Sequence, residues 1–250
     1  MLVWVLLTVQ VAGGQVERAP TRPCRTEAAI AAARSTIETL DLPALAVRFG
    51  QDVRAGCADA TIAALYLRGL VAAQEAYAVG GSPESLAPVR GAIATLMAVG
   101  PSHETSAEIA SAVLQAAAAA AQSEREEMAL YLAHALRLEV VERARGRPGA
   151  PVVTAHEAAG DLWLRVHRFD DAQTAYDVAA EQVGATPRVI LGRARVASRQ
   201  THTLAACAAY RTLNDLAGSA EPSAGGRSEI AEARAYLAQP ACGRPVPPRR

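Results

Sequence analysis

The chain has no lysine: every side chain that is basic at neutral pH is arginine, and coding-DNA composition accounts for it. Phenylalanine and tryptophan occur twice each, so no aromatic-rich core is built here. Neither charge is in excess, with 25 basic and 25 acidic residues, which argues against nucleic-acid binding through a global basic field. No run alternates apolar and polar residues between turn signals, as a half-buried strand would. The five histidines (His103, His134, His156, His167, His202) lack HExxH spacing, and no C-x-x-C, P-loop, G-x-S-x-G or G-x-G-x-x-G occurs. Paired carboxylates do occur, Asp170-Asp171 and Glu126-Glu127. Both pairs fall near helix starts, where the backbone dipole favours negative charge. The expectation is a non-catalytic protein with no metal and no cofactor.

Alanine and leucine are abundant instead. Alanine is the best helix former, and small residues let helices approach closely, so the composition points to packed helices. The length suffices for one large or two small domains. The first residues, MLVWVLLTVQVAGG, read as a signal peptide over 1–14. The apolar run Leu2 to Val11 is too short to span a bilayer, and small residues follow it. Only the α-amino group supplies positive charge ahead of that run. Cleavage is expected after Gly14, giving an exported protein, periplasmic or secreted, with no stable membrane span. Cys24 follows Thr-Arg-Pro, which is no lipoprotein cleavage box, so no lipid anchor is expected.

Apolar residues at three- and four-residue spacing predict helices over 26–40, 43–54, 59–79, 83–99, 102–121 and 124–145. Ser82-Pro83 reads as an N-cap with a first-turn proline, and Ser123 with Glu126 as a capping box. The six alanines from Ala116 read as a neutral helical stretch. Gly146 to Ala150 is the clearest internal break, dividing an N-terminal helical region (15–145) from a second region (152–238). In the second, helices are predicted over 152–166, 169–183, 188–198, 203–216 and 228–238, with a Gly/Ser/Pro-rich loop over 218–227. A proline-rich tail, 239–250, follows.

Periodicity is the most informative feature. Ala172 and Tyr176 are followed 34 residues later by Ala206 and Tyr210. The first copy reads Ala159-Gly160, Trp163, Phe169, Ala172, Tyr176, Ala179. The second keeps Ala194, Ala206 and Tyr210, with Leu213 last, and has Ala197 where the first has Trp163. Over 152–216 this resembles the tetratricopeptide repeat family. Leu132, Ala135 and Leu136 suggest the end of a degenerate copy, and 69–96 a fainter one.

The resemblance implies an all-α fold: a right-handed stack of antiparallel helix hairpins, with the last helix as a cap. One hairpin cannot bury its apolar face alone, so neighbours must stack. Ala172 and Ala206 should be buried, with Trp163 and Tyr176 in the core. The resemblance also implies a scaffold that binds a protein or peptide along a concave groove. The groove positions, on the first helix of each hairpin, are Glu157, Asp161 and Arg165, then Arg188, Leu191, Arg195 and Arg199. Asp161 and Arg195 stand where carboxylate-clamping members carry asparagine, so an extended acidic segment is the better expected partner. An accessory helical domain of an envelope enzyme, or an envelope protein binding a small ligand, are the alternatives. Four cysteines suit an exported chain. Antiparallel helices would bring Cys24 to Cys57 and Cys207 to Cys242, and these two disulfides are expected.

Overall fold

The computed structural model describes residues 26–53, 57–99, 104–147, 149–150, 152–218 and 224–243. All of the regular structure among them is helical. The elements are α1 (Thr26–Ser35), a 3₁₀ turn (Ile37–Leu40), α2 (Leu42–Val53), α3 (Ala58–Ala78), α4 (Ala87–Met97), α5 (Glu104–Ala121) and α6 (Arg125–Ala144). Then come α7 (Ala155–Arg165), α8 (Phe169–Val183), α9 (Pro187–Arg199), α10 (Thr203–Ala217) and α11 (Ala224–Leu237). The signal-peptide region, Cys24 and the end of the proline-rich tail lie outside the described residues.

Helices α5 and α6, α7 and α8, and α9 and α10 pack as neighbours, each pair joined by three residues, which makes them antiparallel. The turns share one closing geometry. A backbone N–H reaches back to the carbonyl five residues earlier: Gly81 to Ala76, Glu124 to Ala119, Arg147 to Glu142, Arg168 to Trp163, His202 to Ala197. The residue just inside each bond has positive φ: Gly80, Ser123, Gly146, His167 and Thr201. This pattern satisfies carbonyls that a helix end leaves unpaired. It also corrects one expectation. Ser123 is taken up in the left-handed turn, so it caps nothing, and Glu124 stands at the N-cap of α6 without a side-chain bond. Ser82 accepts from the Ser85 N–H as expected. That bond closes a turn, however, and the helix proper starts at Ala87.

α3 packs on α5, α5 on α7, and α7 on α9, so the first helices of successive pairs stack. The alanine block is a packing seam rather than a neutral stretch: Ala116, Ala117, Ala119, Ala120 and Ala121 are all buried. Nearby, a Cβ on Gly69 would lie 2.4 Å from a methyl of Leu114, which shows how close α3 and α5 come.

The break at 146–150 interrupts the helices but not the core. One apolar cluster runs from Ile30 to Ala175 across it, and Ala150, Val152 and Val153 are buried. Arg34 of α1 donates to the carbonyls of Val152 (2.8 Å) and Ala150 (2.7 Å). Glu139 of α6, fully buried, accepts from the Ala155 N–H (3.0 Å) and from Nδ1 of His156 (2.8 Å). A carboxylate from one helix thus caps the start of α7.

Cys207 and Cys242 are joined, with Cα atoms 5.5 Å apart. The link fastens the turn after α11 to α10. By closing a loop of 35 residues it stabilises by ~4 kcal/mol in the chain-entropy account. Cys57 is buried, but the partner predicted for it, Cys24, lies outside the described residues. The last helix starts at Ala224, so the end of the predicted loop 218–227 is helical.

Candidate concave binding cleft

The sequence places a binding groove on α7 and α9, and the structure sorts its seven residues into three groups. Glu157 is not on a groove. It is 2 % exposed, because Thr154 and Glu157 form a reciprocal capping box at the start of α7. Its second oxygen accepts from the Thr186 hydroxyl at 3.0 Å, tying α7 to the start of α9. Leu191 is also lost to the interior. It packs with Ile190, Ala194, Ile230 and Leu40. For Leu191 the cause is a cover: α11 and the 3₁₀ turn pack where an open stack would leave the face of α9 bare.

The second group is committed to internal pairs. Asp161 is ion-paired with Arg188 and accepts from the Tyr176 hydroxyl at 2.5 Å. Burial alone would raise the Asp161 carboxyl, but Arg188 and Tyr176 outweigh it and hold the carboxyl below its usual range. The Tyr176 ring fits between two glycines: a Cβ on Gly160 would lie 2.7 Å from it, and one on Gly192 2.2 Å. Tyr176 therefore joins three helices, by packing on α7 and α9 and by its hydroxyl. Arg195 binds Glu232 of α11 with two nitrogens, Nε at 3.0 Å and Nη2 at 2.5 Å, and Glu232 also accepts from the Tyr210 hydroxyl at 2.7 Å. Burial raises the Tyr210 hydroxyl well above its ordinary value, and its bond to Glu232 adds to this.

Asp161, Arg165, Arg188, Leu191 and Arg195 do line one cavity, of about 160 Å³. Its other wall is the chain's own Leu40, Leu42 and Pro43. This half of the predicted groove is closed.

The other half is open. A cleft of about 890 Å³ lies between the C-terminal halves of α7, α9 and α11, with Tyr77 at the end of α3 forming one wall. Tyr210 and Tyr236 line it from the far side, their ring centroids 4.7 Å apart. Its volume lies within the usual range for ligand sites. Arg165 and Arg199 are the third group. Both line this cleft, and neither has a carboxylate within salt-bridge distance among the described residues. Arg165 is held over the Tyr77 ring, 5.5 Å from its centroid, while its carbonyl accepts from the Tyr77 hydroxyl at 3.3 Å. His167, in the turn, completes the rim.

Sequence reasoning missed Tyr77, Tyr236 and Glu232. The last was within reach: Glu229 and Glu232 lie one turn apart on a helix read only as a cap, and both face Arg195. Among the described residues no three His, Cys, Asp or Glu side chains are grouped to hold a metal ion. No helix among them is long and apolar enough to cross a membrane. No known protein family, curated protein or solved structure matches the chain.

Proposed function

We propose that this protein is a non-catalytic, exported scaffold with a tetratricopeptide-like stack, and that it holds an extended acidic segment of a protein partner in the open cleft. The observation that carries this reading is the pairing state of the arginines. Arg188 and Arg195 are spent on Asp161 and Glu232, while Arg165 and Arg199 line the cleft with no carboxylate within salt-bridge distance among the described residues, Glu232 in the same lining being held by Arg195 and Tyr210. Guanidinium groups bind carboxylates bidentately, and tyrosine walls add contact area with few rotors to order. In support of a repeat, Ala172 and Ala206 are fully buried, and the left-handed turn residues His167 and Thr201 have the same 34-residue spacing. The joined cysteines suit an oxidising compartment.

The test is fluorescence anisotropy with a labelled octaglutamate peptide at low salt. Saturable binding is expected, weakening steeply as salt rises. Arg165→Ala with Arg199→Ala should weaken it at least tenfold with circular dichroism unchanged. Full binding by that double variant would sink the reading. Arg195→Ala is the wrong probe, because it strands Glu232.

A further inference from the structure

A second surface lies on α4, α5 and α6, away from the cleft. It holds a groove of about 570 Å³ whose floor includes Leu96 and Ala112. At its rim two large apolar side chains stand into solvent, Met97 at 73 % exposed and Leu130 at 69 %. Helix α6 carries two seams. Met128, Leu132, Ala135, Glu139 and Glu142 are buried against the fold. Leu130, His134, Arg137 and Val141 recur at the same three- and four-residue steps on another side, with Leu130 and Val141 exposed. Two apolar residues thus end this outer seam, roughly 16 Å apart at 1.5 Å per residue, with two nitrogen-bearing side chains between them. Across the groove on α5 stand Glu104 and Glu108, and Glu108 meets Nε2 of His134 at 2.9 Å.

We propose that this face binds a second copy of the chain about a two-fold axis crossing α6. A two-fold interface must be self-complementary, and this surface carries both halves of each contact. It has an exposed apolar side chain at each end of the outer seam of α6. It has an acidic rim on α5 and a basic one on α6. In the antiparallel pair, Leu130 of each copy meets Val141 of the other, and each Arg137 arrives at the other copy's Glu108. A helix of twenty residues is about 30 Å long and two side by side are about 20 Å wide, so the α5–α6 face covers roughly 600 Å² per copy, at the low end of specific interfaces.

Sedimentation velocity of the disulfide-intact protein between about 1 and 200 µM tests this. The mass is expected to move from one chain to two across that range. Leu130→Glu with Met97→Glu should hold it at one chain, with an unchanged circular dichroism spectrum, because both residues are exposed. Arg137→Glu alone should raise the dissociation constant at least tenfold, and adding Glu108→Arg should recover most of that loss. A wild type that stays single up to 200 µM overturns the proposal, whether or not the groove then takes up an apolar dye. So does a double charge reversal that recovers nothing, since a merely sticky face needs no matched charges.

Discussion

Single residues in this protein are constrained less by type than by what arrives opposite them. Gly192 looks replaceable on a helix made of alanines, arginines and valines. Yet the Tyr176 ring occupies the place its Cβ would take. Gly192→Ala should therefore destabilise by about 2–3 kcal/mol despite alanine's better helix propensity, read as a fall in the denaturation midpoint with unchanged slope. If overpacking is not the cause, the helix term dominates and the variant is more stable. The buried alanines and Tyr176 were legible from their 34-residue spacing. Glu157 was not. Its exposure depends on Thr186, which reaches it from the next pair of helices, and no pattern within α7 reports that. Arg195 was read as a groove cation for the same reason, since Glu232 reaches it from α11.

At the scale of elements, helix limits were legible where caps and turns are local, though α4 was predicted from 83 and starts at Ala87, and α11 from 228 and starts at Ala224. α8 was predicted over 169–183 and occupies those residues. What local signals miss is a cap supplied from elsewhere. Thr154 caps α7 from within its own sequence, but Glu139 caps it from α6. Burial would raise the Glu139 carboxyl, but the bonds from His156 and the Ala155 N–H prevail and leave it below its ordinary 4.5. A carboxyl depressed on folding gives stability that is present above its unfolded value and lost as pH falls through its folded value. Thermal midpoints should thus be flat above about pH 5 and fall below it. Glu139→Gln should cost about 2–3 kcal/mol at neutral pH and flatten that acid limb. A variant with the wild-type slope below pH 4 would show that other carboxylates govern it.

The whole molecule departs from the open stack that the 34-residue spacing predicts, in which each unit touches only its neighbours. Leu40 lies in the same apolar cluster as Ile190, Ala194, Tyr210 and Ile230, and α2 and the 3₁₀ turn both touch α11. Leu40→Ala should cost about 2–3 kcal/mol. Hydrogen exchange should show the lost protection on α9 and α11 as well as on α2. A loss confined to α1–α3 would mean that the two ends are independent after all. Nothing periodic announces this contact, because Leu40 belongs to a short segment outside any repeat.

The same contact sets an order of events for a chain made, or threaded through a pore, from its N-terminus. The first quarter emerges early, but the surface that receives Leu40 is complete only when Ile230 follows. Until then Leu40, Leu191 and Ile190 cover one another only in part and lack the apolar cover of α11. A chain halted before Ala224 would keep them so, and would be the form that aggregates or calls on a holding chaperone.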